Sequence, residues 1–516
     1  MTILDKEEKN ERLKRKKKKK KQHIIFYKML SFLLIIMTII SLGTVIFNEL
    51  LPISYLIPII IVLMVIIYAI TFILNKNKLK AWIKNIFSSV AILIIIIEVM
   101  LLFFGTKTLK FLSNLADTGY RVETYGIYVL ESSDYKKIKD LDNKKIMYLG
   151  SDNIDNVNET IDKIKKEINI NVDHKDILGE LLSALDTGET DAILMESSYE
   201  SIIKDEFEEY YDKIRLVASY DIVDIVDVQK SEKDITKDPF MVYISGIDTS
   251  GNVASKARSD VNILLAVNPN THHILMINTP RDYYVTLPSK GYKDKLTHAG
   301  IYGIEESVST LSKLYDKEID YYARINFTSF IKIIDALGGI KVNVPKSFCE
   351  QNSQRSFKQG DLICLSPGLQ QLNGEQALAL SRHRKTIGDR ARGKNQMLVL
   401  EATINKAISP KIITKYNTIL NSLSGRVVTN MTSEEMVNFI KKQMTDNANW
   451  TFDNISANGV NASKPCYAIG NLNASVIEPY EDTIDAVKLA IKNLYNGEEN
   501  VLKGTDELTT SKTTTN

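Results

Sequence analysis

An arginine and an aspartate lie side by side where an apolar segment near the middle of the chain ends. The segment HILMIN has the composition of a buried strand, and TPRDYYVTLP follows it, with Arg281 and Asp282 between two prolines. A guanidinium group donates paired hydrogen bonds that match the oxygens of a phosphate. Prolines restrict the backbone, so they fix the direction of the residues between them. The segment is therefore either a charged surface loop or a strand end that directs a cation at a negatively charged ligand.

Two neighbouring strands are predicted to bring further charges to the same place. FMVYISG (Phe240–Gly246) and VNILLAVNP (Val261–Pro269) precede HILMIN, and the short connections predict strands that alternate in direction. The end of the first strand, the start of the second and the end of the third then share one edge of a sheet. The charged residues expected at this edge are Asp248, Arg258, Asp260, Arg281 and Asp282.

The mixture of acids and arginines at this edge suits one kind of ligand. Separated carboxylates can hold a hard cation such as Mg²⁺, and arginines bind phosphate oxygens. We therefore interpret the edge as a metal–diphosphate site. The alternative is a surface cluster of salt bridges, which would contribute little to stability.

Further polar residues follow in two predicted helices. The segment NGEQALALSRHR predicts a short helix with an asparagine N-cap, and an extended tail would point Arg382 and Arg384 the same way. In the next helix Asp389 is a candidate N-cap, and Arg392 and Gln396 lie four residues apart on one face. These residues are candidates for the same phosphate site.

Other motifs in the chain are weaker. Gly388–Asn395 superficially matches a P-loop, but Asn395 stands where Ser or Thr is needed and no strand leads into it. His383 is expected to point away from its flanking arginines and to pack. His298 in KLTHAG is left open as a minor substrate contact. No nucleophile elbow and no Ser–His–Asp order is present in the sequence.

The first part of the chain has the composition of a membrane anchor. Residues 1–23 form a basic tail, and residues 24–104 contain three apolar segments, Met29–Phe47, Leu50–Leu74 and Ile86–Phe104. Each has about the 20 residues that cross a bilayer. Two further spans after the first argue against a cleaved signal peptide. Glu98 is the one charge in these segments, and we favour a helix–helix contact for it over a functional carboxylate.

The distribution of lysines predicts how the anchor is oriented. The basic tail and the connection NKNKLKAWIK are rich in lysine, whereas the connection NELLP has none. The positive-inside rule then places the N-terminus in the cytoplasm and everything after Phe104 outside the cell membrane. The basic tail is interpreted as a tether to anionic lipid. Nucleic acid is excluded as a partner, because it would lie on the wrong side for the rest of the chain.

The remainder of the chain divides into two predicted domains and a tail. Residues 105–235 alternate four strand-like runs with amphipathic helical stretches, which predicts a small α/β accessory domain with a binding or spacing role. Residues 240–496 form the second domain, and 497–516 are Thr- and Ser-rich and expected to be disordered. In an oxidising exterior Cys349 and Cys364 can form a disulfide, and Cys466 would then have no cysteine partner.

Ordered motifs across residues 240–408 resemble the LytR-CpsA-Psr domain. They are GID, ARSDVNILLAVNP, INTPRDYYVTLP, KLTHAG, IDYYARINFTSFIKIIDALGGIKVNVP, GLQQLNGEQALALSRHR and GDRARGKNQ. The three-span anchor and the α/β insert resemble the capsule-type branch, which carries an accessory domain before the catalytic one. The resemblance implies a catalytic α/β/α sandwich with a mixed central sheet and a groove for a polyisoprenyl chain.

The resemblance also implies an activity. Members of the family are phosphotransferases that move a glycopolymer, such as capsular polysaccharide or teichoic acid, from an undecaprenyl-diphosphate carrier to a cell-wall acceptor, usually peptidoglycan. A Mg²⁺ ion is implied, with Mn²⁺ as a substitute. By motif position Asp248 and Asp260 are implied as metal ligands. The implied diphosphate-binding residues are Arg258, Arg281, Arg382, Arg384 and Gln396. Arg392 is added because it lies on the same helix face as Gln396.

The residues leave alternatives for the proton acceptor and for the role of one helix face. The catalytic residues are expected to be Asp260, Arg281 and Asp282, and either acid is a candidate to take the proton from the acceptor hydroxyl. The apolar stripe of the FTSFIKIIDALGG helix is interpreted as core in preference to lipid contact. Membrane lipid and capsule or wall biosynthesis proteins are expected partners. The rival functions are a sensor of wall synthesis and a lipid-diphosphate hydrolase.

Overall fold

Long runs of apolar residues without charges form the first helices of the chain, because a helix satisfies its own backbone groups in lipid. We describe a computed structural model over residues 3–48, 51–76, 79–116, 120–225, 231–247, 253–356, 358–384, 388–409 and 426–498. Its first helices are α1 (Ile3–Phe47), α2 (Ile53–Asn75) and α3 (Ala81–Ala116). All 3 contain stretches long and apolar enough to cross a membrane, which confirms the predicted spans. Helix α3 continues to Ala116, so the expected end of the anchor at residue 104 falls inside a helix.

The single acid of the apolar segments connects two of these helices. Glu98 of α3 is 5% exposed and accepts a hydrogen bond from the Thr38 hydroxyl of α1 at 2.6 Å. The predicted helix–helix contact is confirmed.

The described residues form two compact units. The first comprises residues up to 112 together with 436–447, and the second comprises 113–435 and the residues from 448 onward. The second unit contains the accessory domain from residue 113 onward. It also contains residues 240–435 and 448–496 of the domain that is predicted to be catalytic and is called the catalytic domain below. The two domains share a core.

The accessory domain forms a mixed sheet. Its strands are β1 (Tyr120–Leu130), β2 (Lys144–Leu149), β3 (Ile170–Lys175), β4 (Ala192–Glu196) and β5 (Ile214–Ile225), in the order β3-β2-β4-β1-β5. Its helices are α4 (Ile154–Lys165), α5 (Leu178–Asp186), α6 (Glu200–Glu206) and α7 (Glu208–Tyr211). The four predicted strands are present, and β3 is an additional one. Its residues INVDHK are mostly exposed, so they lack the apolar pattern that marks a buried strand.

The catalytic domain contains a second mixed sheet. Its first elements are β6 (Phe240–Ile247), β7 (Ser259–Asn268), β8 (His273–Asn278), β9 (Tyr284–Thr286), β10 (Lys293–Lys295), α8 (Leu296–Ala299), α9 (Ile304–Tyr315), β11 (Tyr321–Asn326), α10 (Phe327–Leu337), β12 (Ile340–Val344) and β13 (Phe348–Glu350). The later ones are β14 (Ile363–Leu365), β15 (Gly368–Leu372), α11 (Gly374–Arg382), α12 (Gly388–Ala407), β16 (Val427–Thr429), α13 (Ser433–Asp446), β17 (Thr451–Ser456), β18 (Gly459–Cys466), β19 (Leu472–Pro479) and α14 (Glu481–Asn496). The central sheet has the order β16-β11-β6-β7-β8-β17.

Helices cover the central sheet to give the expected α/β/α architecture. Apolar side chains of α9 and α14 form one core with Leu264 and Ala266 of β7 and Leu275 and Ile277 of β8. Alternate residues of a strand point to opposite faces. Helix α12 packs against β7, β8 and β17 and shares a core with α10 and α11. The pairs β6–β7 and β7–β8 are antiparallel, whereas β11–β6 and β8–β17 are parallel, so the sheet is mixed as predicted.

One hydrophobic core joins the accessory domain to the catalytic domain. It includes Leu181 of α5 and Ile202 and Ile203 of α6 on one side, and Tyr284 and Ile469 on the other. Ion pairs cross the same boundary: Arg121–Glu305, Lys256–Glu123, Lys295–Glu206 and Arg258–Asp205. This shared core fixes the accessory domain next to the loop that carries Arg258.

Candidate functional site

The predicted edge of the catalytic sheet is present. Ile247 at the end of β6 is paired with Ser259 at the start of β7, and Ile263 of β7 is paired with Asn278 at the end of β8. The backbone amide of Thr279 then donates to the Asn262 carbonyl at 3.0 Å. The strand ends therefore meet where the antiparallel order predicted. Asp248, the expected first metal ligand, lies outside the described residues.

A cavity of about 910 Å³ opens at this edge. Its wall contains every described residue that was predicted to bind the diphosphate, namely Arg258, Arg281, Arg382, Arg384, Arg392 and Gln396, together with Asp260. Pockets for small ligands commonly measure about 300–1,000 Å³, so this one has room for more than a diphosphate. Residues from three separate parts of the sequence converge on it, which a surface salt-bridge cluster would not require.

Arg281 and Asp260 form a charged pair in the cavity wall. The Arg281 Nη1 donates to the Asp260 Oδ1 at 2.9 Å, and the Thr297 hydroxyl donates to the same oxygen at 3.2 Å. Burial alone would raise the pKa of Asp260, but the guanidinium groups of Arg281, Arg258 and Arg392 outweigh it and lower that pKa. Asp260 is therefore a carboxylate at neutral pH and a weak base.

Asp282 has a different relation to the site. Its Oδ2 lies 3.6 Å from the Nε of Arg281, beyond hydrogen-bond distance. Asp282 is not among the described residues that form the cavity wall. The structure thus places it behind the arginine, where its charge supports Arg281.

Arg258 lies on a loop that other buried groups hold in place. The Arg324 Nη2 donates to the Ala257 carbonyl at 2.8 Å, and Lys256 is paired with Glu123 of the accessory domain. Arg258 itself is 8% exposed, and its Nη1 donates to the Asp205 Oδ2 at 2.5 Å. In the described part of the chain its buried Nε has no hydrogen-bond partner.

Helix α11 positions the next two arginines. Asn373 and Gln376 form a capping box at its start, as the asparagine N-cap prediction required. Arg382 is the last helical residue, and its guanidinium carbon lies 5.4 Å from the centre of the Phe327 ring. Arg384 follows the helix and also faces the cavity.

His383 packs, as predicted. Its ring is stacked on Phe348 at 4.3 Å between centroids, and its Nδ1 lies 3.0 Å from the Glu350 carboxylate. His298 is fully buried and pairs with Asp294 at 2.7 Å, and the cavity wall formed by the described residues does not include it. The idea of His298 as a substrate contact is therefore wrong.

Helix α12 supplies Arg392 and Gln396 on one face. The segment that resembles a P-loop lies within this helix, which confirms that it is not a phosphate loop. A Cβ on Gly393 would lie 2.2 Å from the Asn278 side chain, so glycine lets α12 approach the end of β8 closely. The Gln396 amide donates to the Ser381 carbonyl at 3.2 Å, which connects α12 to α11. The side chain of the proposed N-cap, Asp389, is not described.

Two other expectations are resolved near the site. Ile334 and Leu337 of α10 are buried, which supports the core interpretation of that stripe. Cys349 and Cys364 form a disulfide between β13 and β14, and Cys466 is free and buried. The disulfide joins the two strands that flank Arg355, a further arginine of the cavity wall.

Sequence similarity now places the chain among known proteins. The LytR_cpsA_psr family model matches residues 217–469. TagU of Bacillus mycoides strain KBAB4, named a polyisoprenyl-teichoic acid–peptidoglycan teichoic acid transferase, is 32% identical over 222 residues, which cover 42% of this chain and 67% of that protein. The chain belongs to the LytR-CpsA-Psr family.

Other family members are similar over the same region. TagT of Bacillus subtilis strain 168, which carries the same transferase name, is 36% identical over 210 residues, or 40% of this chain and 64% of TagT. The chain therefore covers less than two thirds of that relative. The crystal structure of B. subtilis TagV has 29% identity and a TM-score of 0.42, covering 51% of this chain and 99% of that one.

The LytR-CpsA-Psr match contains all the arginines of the cavity but not the whole cavity wall. Part of the wall comes from the accessory domain before residue 217: Val122, Thr124, Ser197, Ser198, Glu200, Ser201, Lys204, Asp205 and Tyr211. Sequence analysis missed this contribution, because the contact between Asp205 and Arg258 joins two domains and spans 53 positions. No local pattern in α6 signals it.

Of the two predicted metal ligands, Asp260 lies among the described residues. The described residues contain no group of three or more His, Cys, Asp or Glu side chains arranged for a metal ion. Mg²⁺ is nevertheless commonly held by one or two carboxylates plus substrate phosphates and water. Asp260 in the cavity wall fits that donor chemistry, and its ionised state suits a cation.

Proposed function

We propose that this LytR-CpsA-Psr protein is a membrane-anchored phosphotransferase that moves a wall glycopolymer from a polyisoprenyl-diphosphate carrier to peptidoglycan. The observation that carries the proposal is one cavity whose wall contains eight basic residues and five acids. The basic residues are the arginines Arg258, Arg281, Arg355, Arg382, Arg384 and Arg392 and the lysines Lys204 and Lys256, and the acids are Glu200, Asp205, Asp221, Asp260 and Glu350. A diphosphate is a ligand whose negative charge matches this excess of guanidinium groups. The names of the relatives TagT and TagU support the same reaction.

The arginines would accelerate the transfer by stabilising charge. Attack of an acceptor hydroxyl on the phosphorus next to the glycan breaks the bond to the bridging oxygen of the diphosphate. The polyisoprenyl phosphate leaves with the electron pair, so negative charge grows on the phosphate oxygens. Preorganised donors in a cavity stabilise such charge without reorganising at the moment of reaction. Arg281 is the residue we assign to this role first, because Asp260 and Asp282 hold its guanidinium from two sides.

Asp260 and Asp282 are proposed to have different roles. The lowered pKa of Asp260 makes it a poor general base, so we assign it to orient Arg281 and to ligate the metal. Asp282 lies outside the described cavity wall and would support the charge of Arg281, so the hydroxyl proton would leave to water in the open cavity. The bound metal, proposed as Mg²⁺ with Mn²⁺ as a substitute, would neutralise diphosphate charge. Asp248 and Asp260 are the residues that would hold it.

The anchor agrees with a donor that lies in a membrane. The 3 membrane-length helices precede the catalytic domain. The lysine distribution predicts that this domain lies outside the cytoplasm, where peptidoglycan is located. The relatives' names make teichoic acid the first polymer to test. Capsular polysaccharide on the same carrier would present the same diphosphate to the arginines.

The proposal is tested in cells that depend on this protein to attach glycopolymer to the cell wall. Cells with Arg281→Ala should release labelled glycopolymer instead of retaining it in purified peptidoglycan, while the membrane level of the protein stays the same. Retention equal to that of wild-type cells would contradict the proposed role of the cavity.

A further inference from the structure

The accessory domain places a carboxylate in the cavity, at the arginines that the donor needs. The Asp205 Oδ2 lies 2.5 Å from the Arg258 Nη1 and 3.8 Å from the Arg281 Nη2. Asp205 is thus shared between two guanidinium groups that come from opposite strand ends. It precedes the residues that match the family model, so the accessory domain contributes it to the site.

The position of Asp205 is built into the fold. Its helix, α6, is anchored by Ile202 and Ile203, both fully buried in the core shared by the two domains. The next residue, Glu206, forms an ion pair with the buried Lys295 of β10. These contacts hold the end of α6 at the cavity, while the Asp205 side chain itself stays one-third exposed.

A carboxylate and a phosphate use the same donors. Both accept paired hydrogen bonds from a guanidinium group, so they compete when they meet the same arginine. The diphosphate of the proposed donor cannot form close contacts with Arg258 while Asp205 holds the same Nη1.

We propose that Asp205 occupies the phosphate-binding arginines when the donor is absent and that the diphosphate displaces it. The inference rests on the proposed function, since it names Arg258 and Arg281 as the donor's ligands. Through Asp205 the accessory domain then forms part of the donor site and is not only a spacer. Donor binding then releases the Asp205 carboxylate from the guanidinium groups, which changes the contact between the two domains.

The other ion pairs between the domains do not account for Asp205. Glu123 with Lys256 and Glu206 with Lys295 already join the accessory domain to the catalytic domain. The side chains of Glu123 and Glu206 are 1% and 15% exposed. The Asp205 side chain is 33% exposed and lines the cavity. The exposed side chain of Asp205 and its place in the cavity wall distinguish this ion pair from the two more buried ones.

Displacement has a measurable cost. If Asp205 holds the arginines for about nine-tenths of the time, the apparent affinity for phosphate groups falls about tenfold. Asp205→Asn keeps the shape and removes the charge, so it should strengthen binding by about that factor.

The test measures binding of inorganic pyrophosphate to the full-length protein in detergent by calorimetry. Asp205→Asn is compared with wild type and with Asp221→Asn, which removes a charge from the same cavity wall. Asp221 accepts a hydrogen bond from Thr124 and forms no ion pair with Arg258 or Arg281 in the described structure. We expect about tenfold tighter binding for Asp205→Asn and a much smaller change for Asp221→Asn.

A double-variant comparison tests whether Asp205 acts through Arg258. In an Arg258→Gln background the effect of Asp205→Asn should largely disappear, because the two residues act through one contact. Asp205→Ser serves if the asparagine variant does not fold. Unchanged or weaker binding of folded Asp205 variants, or equal gains from Asp205→Asn and Asp221→Asn, would overturn the inference. Absence of pyrophosphate binding by both wild type and Asp205→Asn would instead overturn the proposed diphosphate site.

Discussion

Arg281 donates to Asp260 at 2.9 Å across the ends of two antiparallel strands. The pair is partly buried, since the two side chains are 15% and 11% exposed. Burial lowers the pKa of the Arg281 guanidinium, but Asp260 and Asp282 outweigh it and raise that pKa. Both members therefore keep their charges in the cavity wall. This relationship is the centre of the proposed site.

Replacement of Arg281 should abolish transfer more severely than it affects folding. Loss of one preorganised charge donor commonly lowers kcat by about 100-fold or more. We expect at least that loss for Arg281→Ala and a smaller loss for Arg281→Lys, which keeps the charge but not the paired donors. Initial rates of polymer transfer measure it, with circular dichroism as the folding control. Near wild-type rates for a folded Arg281→Ala protein would rule out its assigned role.

Asp260 should stabilise the protein in a pH-dependent way. Its folded pKa is lowered, so its contribution is fully present above the ordinary aspartate pKa of about 4 and is lost as the pH falls through the lower folded value. Asp260→Asn leaves buried guanidinium groups without their acid, which costs about 3 kcal/mol at neutral pH. Thermal unfolding midpoints of the two proteins should therefore differ at neutral pH and converge in acid. A pH-independent difference would show that the carboxylate charge is not the cause.

The boundary between the two domains should respond to pH in the opposite direction. Burial raises the pKa of Asp152 to about 7 and that of Glu196 to about 8, with Lys256 and Glu123 also facing this cluster. The folded state binds more protons than the unfolded state between about pH 4 and those values, so stability should fall as the pH rises through this window.

Glu196→Gln tests that window directly. The amide resembles the neutral acid, so the variant should lose part of the decline in unfolding midpoint between about pH 5 and pH 8. Asp191→Asn is a suitable control, because Asp191 lies near the surface and accepts a hydrogen bond from Tyr135. An identical decline in wild type and Glu196→Gln would show that Glu196 does not titrate in this range.

The disulfide should stabilise the part of the cavity wall that contains Arg355. A cross-link that closes about 15 residues contributes about 3 kcal/mol in the chain-entropy description. Strand β13 also contains Glu350, which pairs with His383 between two of the arginines. We expect the double variant Cys349→Ser/Cys364→Ser to unfold at a lower temperature and to transfer polymer more slowly.

A reductant provides the matched control for the disulfide. It should lower the unfolding midpoint of the wild-type protein to that of the double serine variant and leave the variant unchanged. An insensitive wild-type protein would mean that the bridge contributes no stability.

The site could be predicted to the extent that local rules determine it. Arg258, Asp260 and Arg281 were placed together because short connections force β6, β7 and β8 to alternate, and one edge then collects their ends. Arg392 and Gln396 were paired by helical spacing, and both line the cavity. Each of these inferences depends on a few neighbouring residues.

The contacts that escaped prediction depend on tertiary packing. Asp205 reaches Arg258 only because α6 is buried in a core shared by two domains. Strand β3 was missed since it lies at the end of its sheet and most of its residues are exposed. The burial of His298 against Asp294 could not be recognised from the sequence of the segment KLTHAG.

The most direct test of the account supplies the purified full-length protein with a polyisoprenyl-diphosphate-linked glycan, with and without peptidoglycan. Release of polyisoprenyl phosphate and covalent capture of the glycan are measured together. If the cavity catalyses transfer, release requires peptidoglycan and equals the amount of glycan captured. Release without acceptor would indicate hydrolysis, and absence of turnover with a bound donor would indicate a sensor. Either result would contradict transfer as the function of the cavity.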